Sequence, residues 1–204
     1  MTRLLFHLGQ ISAFILRRFF TYAKHAYWYF YTGWVTVGLR YCGKKPYIEY
    51  PLHIMGRKYI SIGDNFFCYK RLRIEAWNYR QGQTFSPKII IGNNVAINYD
   101  CHIGCIDKVE IGNNVLLASK IFITDHFHGA ITKEALRDTP ALRPLYSKGP
   151  VIIQDNVWIG EGVVIMPGVT IGRNSIIGAN AVVTSSFPEN SIIAGIPAKL
   201  IKQI

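Results

Sequence analysis

Acidic residues are scarce in this chain, and none occurs before Glu49. The 204 residues include 23 Lys and Arg but only 12 Asp and Glu, which gives a formal net charge of +11. Residues 1–90 hold 14 of the basic and 3 of the acidic residues, so the whole excess of positive charge precedes residue 91. A basic segment favours an anionic partner. Because no nucleic-acid-binding motif accompanies it, we expect a membrane surface or a phosphorylated substrate rather than nucleic acid.

Cysteines are also few, and their spacing argues against a disulfide framework or a metal centre. The four are Cys42, Cys68, Cys101 and Cys105. The run Cys101-His102-x-x-Cys105 resembles half of a zinc site, but the chain lacks the second pair of ligands that a structural zinc site needs. We therefore expect small buried thiols in a reducing cytoplasm, and no bound metal.

No hydrophobic run is long enough to cross a bilayer. The uncharged, Tyr- and Trp-rich stretch 26–39 has fourteen residues, whereas a spanning helix needs about twenty. The sequence instead predicts that residues 1–59 form a separate helical and basic segment. This segment could cap the first unit of the domain that follows, or it could place residues 1–45 on the inner face of the cytoplasmic membrane. Its apolar stripe of helical spacing consists of Leu4, Leu5, Leu8, Ile11, Ile15 and Phe19.

The sequence repeats every six residues from Val151 to Val183. This period fits neither an amphipathic helix, with 3.6, nor an alternating strand, with 2. It predicts short strands joined by tight corners, with three hexads in each coil of a parallel β-helix and with stacked coils burying one another's apolar faces. One apolar column is Ile153, Ile159, Ile165, Ile171, Ile177 and Val183, and the other is Val157, Val163, Val169, Ser175 and Ala181.

Weaker copies of the repeat come earlier in the chain. The run Ile91-Gly92-Asn93-Asn94-Val95 recurs from Ile111, and a fainter copy starts at Ile62. The interval from Ile91 to Ile111 exceeds three hexads by two residues, which predicts a widened corner near 105–108. Gly and Asn suit tight corners because both tolerate a left-handed backbone. The length of 204 residues suffices for about six coils; a β-sandwich is disfavoured because its turns recur at less regular spacings.

The regular coils stop at Ile123 and resume at Val151, which predicts a protruding loop over residues 124–150. A long loop inside a compact repeat is usually functional. This one opens with Asp125-His126-Phe127-His128, and the near-neutral pKa of histidine suits it to take a proton from a hydroxyl. A single loop histidine is more often simply solvated, but two at an interruption of the repeat favour a catalytic role.

Together these motifs resemble the hexapeptide-repeat O-acetyltransferases, the family that includes galactoside and maltose acetyltransferases and those of bacterial surface polysaccharides. The resemblance covers residues 60–204 and rests on ITDHFHG at 123–129 and on the ordered series DNVWIG, PGVTIG, IIGANAVVT and AGIPAK. It implies an all-β fold, a left-handed parallel β-helix preceded by the helical segment. It also implies an acyltransferase that uses acetyl-CoA, and a homotrimer with sites between neighbouring chains.

The resemblance assigns roles to individual positions. It implies a catalytic base at His126, with His128 as the alternative if the loop aligns two residues differently. The resemblance implies that Lys199 and Lys202 contact the phosphates of acetyl-CoA. One further phosphate contact is expected to be missing, because the family often has Lys at the place of Ser185. Acceptor contacts are implied for Asn98, Asp107, His128 and Trp158, and acetyl-CoA contacts for Gly160, Ala179, Thr184, Lys199 and Lys202.

The reaction implied is direct transfer of an acetyl group to a sugar hydroxyl, on a nucleotide-linked or lipid-linked sugar of surface-polysaccharide biosynthesis. A covalent acyl-enzyme is not expected, since no Ser or Cys lies in a nucleophile elbow. The alternative within the enzymes is acetylation of an antibiotic or another small molecule. A γ-type carbonic anhydrase is disfavoured by the spacing of the histidines. A non-catalytic β-helix assembly subunit would need neither His126 nor the AGIPAK motif, so the presence of both disfavours this alternative.

Overall fold

Short parallel strands wind into a β-helix with three flat faces, as the six-residue repeat predicts. In the computed structural model, which describes residues 2–204, each coil contributes one strand to each face. The strands of a face pair in parallel with those of the neighbouring coils. The first and third faces have six strands each, which gives the expected six coils, and the second face has eight.

The strands are numbered along the chain and grouped by face. The first face contains β1 Tyr41–Cys42, β4 Ile60–Ile62, β9 Lys88–Ile91, β12 Lys108–Ile111, β17 Val151–Ile153 and β20 Thr170–Ile171. The second contains β2 Tyr47–Ile48, β5 Phe67–Cys68, β10 Ala96–Ile97, β13 Leu116–Leu117, β18 Trp158–Ile159, β21 Ile176–Ile177, β23 Ser191–Gly195 and β24 Ala198–Gln203. The third contains β3 Leu52–Met55, β6 Leu72–Ala76, β11 His102–Cys105, β14 Phe122–Thr124, β19 Val164–Ile165 and β22 Val182–Val183.

The core is the interior of this prism, and both columns of the repeat point into it. Every side chain of the two columns is buried, Ser175 and Ala181 included. The earlier copies of the repeat supply Ile62, Ile91 and Ile111 to the same core. Each coil thus buries its apolar side against its neighbours, which confirms the predicted stacking.

Asparagines stack at the first corner, between the first and second faces. Each has a positive φ of 54–59°, and each side-chain amide donates a hydrogen bond to the side-chain carbonyl of the next at 2.8–3.0 Å. The predicted left-handed turn chemistry is therefore confirmed, and the side chains add an amide ladder that runs through the stack. Its members are Asn65, Asn94, Asn114, Asn156, Asn174 and Asn190.

A single long helix, α1 Thr2–Thr36, precedes the β-helix. Its last third packs on the first coil: the Ile48 N–H donates to Thr32 Oγ1 at 2.9 Å, and the Leu52 N–H donates to Tyr31 Oη at 3.1 Å. Residues 2–27 are all exposed. The helix therefore caps the stack at one end and is uncovered over most of its length. Within residues 2–204, no helix combines the length and apolarity needed to cross a membrane.

The stack begins earlier than the sequence suggested. Strands β1, β2 and β3 pair in parallel with β4, β5 and β6, so residues 41–55 form a complete first coil. The expected boundary at residue 60 therefore lies inside the β-helix. Residues 41–55 lack the Ile-Gly-x-Asn pattern of the later coils, which is why the sequence did not reveal them.

Two excursions leave the β-helix at the third corner, between the third and first faces. The expected loop 124–150 contains the antiparallel strands β15 His126–His128 and β16 Leu145–Ser147. A second excursion, residues 77–87, was not expected; it carries the hairpin of β7 Tyr79–Arg80 and β8 Gln83–Thr84. The two touch, because the Leu145 N–H donates to Gln83 Oε1 at 2.8 Å. The coil between them turns through Ile106 and Asp107, which is the predicted widened corner.

Candidate active site

A cavity of about 130 Å³ opens on the third face, between the two excursions. Its floor is Gly104, which lies in register with Glu75 on one side and Thr124 on the other. A Cβ at Gly104 would stand only 3.3 Å from His126 Cε1, so the missing side chain leaves room beside that imidazole. The complete lining is Arg73, Glu75, Trp77, Arg80, His102, Gly104, Phe122, Thr124, His126 and His128.

His126 is held at the cavity by the residue that precedes it. Its Nδ1 lies 2.9 Å from Asp125 Oδ1, and its side chain is only 10% exposed. Thr124 Oγ1 is also near, 3.3 Å from Nδ1. Within residues 2–204, no protein group hydrogen-bonds His126 Nε2, the other ring nitrogen. A neutral imidazole that donates from Nδ1 to Asp125 would leave Nε2 free to accept a proton from a bound hydroxyl.

Asp125 is fully buried, yet its carboxylate is well satisfied. Besides His126, its oxygens accept hydrogen bonds from the backbone N–H groups of Ile106, at 3.0 Å, and Asp107, at 2.7 Å. Burial alone would raise the pKa of Asp125, but the hydrogen bonds from His126, Asp107 and Ile106 outweigh it and lower that pKa. Asp125 therefore stays ionised, and it ties the imidazole to the widened corner of the preceding coil.

The opposite wall of the cavity is built around Glu75, whose side chain is buried. Its carboxylate lies 2.8 Å from the Arg73 guanidinium and 3.1 Å and 3.3 Å from the Nε2 atoms of His53 and His102. Burial opposes ionisation of Glu75, but the hydrogen bond and charge of Arg73 prevail and its pKa is lowered. Burial and the nearby Arg73 lower the pKa of His102, against the effect of Glu75.

The outer rim of the cavity carries His128 and Arg80. The rings of His128 and His126 are 6.5 Å apart. The Arg80 guanidinium lies 5.7 Å from the Trp77 ring. Partial burial, and then the charge of Arg80, lower the pKa of His128. Arg80 belongs to no ion pair among residues 2–204, so the rim holds a cation with no protein counter-ion.

Three of the four expected acceptor residues do not line this cavity. Asp107 contacts the site only through its backbone N–H, which bonds Asp125. Asn98 lies at the second corner, between the second and third faces, where its N–H donates to the Leu117 carbonyl. Trp158 is on the second face and is 51% exposed.

Most of the expected acetyl-CoA positions lie around the second corner rather than beside His126. Gly160 packs against the next coil so closely that a Cβ there would be 2.7 Å from the Ala179 backbone nitrogen. Ala179 itself is exposed. Lys199 and Lys202 are exposed on β24, paired with Ala194 and Ile192. Thr184 is exposed after β22, towards the third corner. In a single chain, Gly160 and Ala179 thus lie at a different edge of the prism from His126.

The cysteines are small core residues, as expected. Cys68, Cys101 and Cys105 are buried, Cys42 is half-buried, and all four are free thiols. Burial raises the pKa of Cys101 to about 11, which leaves it unreactive at neutral pH. Residues 2–204 contain no group of three or more His, Cys, Asp or Glu side chains placed to hold a metal ion.

Sequence reasoning missed Asp125, Glu75 and Arg80 as site residues. Asp125 could have been suspected, since a carboxylate beside a candidate base often orients it. Its burial, however, depends on the fold of a corner nearly twenty residues earlier in the chain. Glu75 and Arg80 had no signal, because they belong to a coil and a hairpin without the regular repeat.

Comparison with known proteins agrees with this architecture. The family model of the bacterial transferase hexapeptide (six repeats) matches residues 150–185. WbbJ of Escherichia coli K12, provisionally named a lipopolysaccharide biosynthesis O-acetyl transferase, is 39% identical over 159 residues, 76% of this chain and 78% of WbbJ.

Solved structures share the fold. A galactoside acetyltransferase in complex with coenzyme A is 30% identical, with a TM-score of 0.51 over 81% of this chain and 66% of the other. AntD, an N-acyltransferase of Bacillus cereus solved with dTDP and 3-hydroxybutyryl-CoA, has a TM-score of 0.70 at 22% identity, over 84% of this chain and 87% of AntD. The extent of the similarity to WbbJ is decisive, and with the repeat and the stacked coils it leads to one conclusion: the chain belongs to the hexapeptide-repeat acyltransferases, enzymes built on a left-handed parallel β-helix.

Proposed function

We propose that this protein transfers an acetyl group from acetyl-CoA to a sugar hydroxyl during the assembly of a bacterial surface polysaccharide. The observation that carries the proposal is the buried Asp125–His126 pair beside the cavity, with the second ring nitrogen free. The similarity to WbbJ favours a surface saccharide as the acceptor. The expected runner-up, an antibiotic or other small molecule, has no comparable support.

In the proposed reaction, His126 is the general base and Asp125 orients it. His126 Nε2 takes the proton of the sugar hydroxyl as its oxygen attacks the thioester carbonyl. A backbone N–H at a glycine-containing corner stabilises the oxyanion. The intermediate then collapses, the C–S bond breaks, and the CoA thiolate receives the proton from His126. Base catalysis of this kind contributes about 10²–10⁴-fold to a rate.

Acetyl-CoA is assigned to the second corner. Gly160 and Ala179 stack closely on each other and carry no side chain larger than a methyl group, so a thin pantetheine arm can lie against the backbone there. Lys199 and Lys202 at the end of this edge supply positive charge for the nucleotide phosphates. Thr184 contributes a hydroxyl group. Ser185, where the family often has Lys, contributes no positive charge. The coenzyme bound to the galactoside acetyltransferase supports this donor.

Because the base and the donor edge are separated within one chain, the complete site is assigned to the junction between copies in a homotrimer. One copy supplies His126, and its neighbour supplies Gly160, Ala179 and Trp158. Asn98 and Asp107 are the remaining acceptor candidates, and His128 is placed at the rim. Such a protein works where acetyl-CoA is available, in the cytoplasm.

The acceptor is assigned as a phosphate-linked sugar, attached to a nucleotide or a lipid. Arg80 on the cavity rim has no protein counter-ion among the residues that the structure describes, and it can meet a phosphate while Trp77 stacks on the sugar ring. The loop adds further positive charge in Lys133, Arg137, Arg143 and Lys148.

The test is a turnover screen that follows release of free thiol from acetyl-CoA. Nucleotide sugars, lipid-linked oligosaccharides and antibiotics serve as acceptors. We expect a phosphate-linked sugar to raise the rate, and His126→Ala to lower it by about 10²–10⁴-fold while CoA still binds. His128→Ala should lose less. Stimulation by an antibiotic alone would overturn the acceptor, and an active His126→Ala beside an inactive His128→Ala would overturn the base.

A further inference from the structure

The apolar stripe of α1 points away from the rest of the protein. At about 100° per residue, Leu4, Leu8, Ile11 and Ile15 fall within a sector of about 60°, and Tyr22 and Tyr29 continue it. Leu4, Leu8, Ile11 and Ile15 are 51–66% exposed. The side chains that dock α1 on the first coil lie on the other side of the helix, centred about 140° from this sector; they are Trp28, Tyr31, Thr32 and Val35.

The rotation of α1 is set by directional contacts, so this orientation is not arbitrary. Thr32 Oγ1 accepts a hydrogen bond from the Ile48 N–H, Tyr31 Oη accepts one from the Leu52 N–H, and Arg57 donates to the Val35 carbonyl. A turn of the helix about its axis would break all three contacts. The stripe therefore faces outward along the whole helix.

The charge of α1 indicates which kind of partner its apolar stripe contacts. Helix α1 has four basic residues, Arg3, Arg17, Arg18 and Lys24, and no acidic one. Packing α1 against α1 of a second copy would bring like charges together with nothing to neutralise them. An anionic lipid surface offers both apolar contact and opposite charge. The aromatic residues towards the end of the helix, Tyr27, Phe30 and Trp34, line a shallow groove with Tyr50, and aromatic side chains of this type favour the membrane–water boundary.

We propose that α1 lies flat on an anionic lipid surface, with its stripe in the headgroup boundary and the β-helix held on the aqueous side. Arg18, about 50° from the centre of the stripe, is the basic residue beside it and can reach lipid phosphates. Arg3, Arg17 and Lys24 lie further round the helix and add to its positive field. Phe6 and Phe14 lie outside the stripe, on the basic side, and are not part of this contact. This inference does not depend on acetyl transfer.

Two double variants of the full-length protein separate apolar insertion from charge. Leu8→Glu/Ile15→Glu places two carboxylates in the stripe, and the matched control Gln10→Glu/Thr21→Glu places the same two charges on the opposite, exposed side. Binding is measured by co-sedimentation with phosphatidylcholine vesicles, with and without phosphatidylglycerol, at low and high salt. Circular dichroism checks that both variants keep the helix.

We expect the intact protein to bind vesicles that contain phosphatidylglycerol and to bind pure phosphatidylcholine much less. The stripe variant should lose about 100-fold or more in partitioning at both salt concentrations. The control should lose about tenfold at low salt and little at high salt, because only a screened charge has changed.

Three results would overturn the proposal. One is no binding of the intact protein to anionic vesicles, and another is an equal loss in both variants at high salt. The third is a stripe variant that dissociates in solution while the control keeps its oligomeric state by light scattering, since the stripe would then be a contact between copies. Turnover on a water-soluble sugar acceptor should be alike in both variants, so its failure would count against the proposed reaction and not against this surface.

Discussion

At the scale of single residues, Asp125 is the side chain on which the candidate site depends most. Replacing it with Asn keeps its size but removes the charge that orients His126 and accepts two backbone N–H groups. We expect Asp125→Asn to lower kcat about 10–100-fold and the free energy of unfolding by about 1–3 kcal/mol. Steady-state kinetics and urea denaturation measure the two effects. The exposed Asp138→Asn is the control, and a similar loss there would contradict the assignment.

The same carboxylate predicts a pH dependence of stability. The pKa of Asp125 is lower in the folded protein than in the unfolded chain, where it is about 4. Its ionised form therefore stabilises the fold above that value, and the stabilisation is lost as the pH falls through the lower, folded pKa. The difference in unfolding free energy between the native protein and Asp125→Asn should be full at neutral pH and shrink below about pH 4. A difference that stays constant down to pH 2 would show that the charge is not responsible.

Arg80 tests the nature of the acceptor. If its guanidinium meets a phosphate, Arg80→Gln should raise KM for a nucleotide-linked sugar about tenfold or more, because a charge-assisted hydrogen bond is lost. KM for acetyl-CoA should not change. Arg173→Gln, exposed at the first corner and outside the cavity lining, should leave both constants unaltered. An unchanged KM for the acceptor in Arg80→Gln would remove the phosphate from the proposed contact.

At the scale of elements, the asparagines of the first corner stabilise the fold in two ways, by the hydrogen bonds of the amide ladder and by their tolerance of a left-handed backbone. Substitution can separate the two. Asn114 has a φ of 56° and both donates to Asn156 and accepts from Asn94. Asn114→Gly keeps the left-handed backbone and removes only the ladder, so we expect a loss of about 1–2 kcal/mol. Asn114→Ala removes the ladder too but, unlike the Gly variant, keeps a Cβ in the left-handed region, so it should lose about 1 kcal/mol more than Asn114→Gly. Equal losses in denaturant unfolding would show that backbone strain contributes nothing.

How much of the architecture could be predicted differs from element to element. The core columns and the Asn corners followed from the six-residue period, because each position of that period has one steric environment. The hairpin 77–87 could not be predicted in this way. The coil that it interrupts has no regular repeat, so the interruption leaves no visible break in the sequence pattern. The cavity depends on contact between this hairpin and the loop 124–150, through Gln83 and Leu145. No spacing within either segment encodes that contact.

At the scale of the whole molecule, the proposed junction site predicts rescue between inactive chains. His126→Ala lacks the base, and Ala179→Trp blocks the exposed donor edge without touching the cavity lining. Each variant alone should be inactive. Trimers formed by co-expressing both contain junctions with an intact His126 from one copy and an intact edge from the other, so thiol release should return. No recovery in mixed trimers of confirmed composition would place the site within one chain.

The closed ends of the β-helix have a consequence for aggregation. An uncovered terminal coil offers unpaired N–H and C=O groups on which another molecule can build strands, and such edges nucleate fibrils. Here the last turns of α1 cover the first coil, and β24 folds back antiparallel on β23 at the other end, with Lys199 and Lys202 exposed along the final edge. Removing residues 2–26 should therefore leave a well-behaved protein, whereas removing residues 2–36 should produce fibrils that bind thioflavin T. The last turns of α1, which cover the first coil, thus prevent one molecule from acting as a template for fibrils of the same protein.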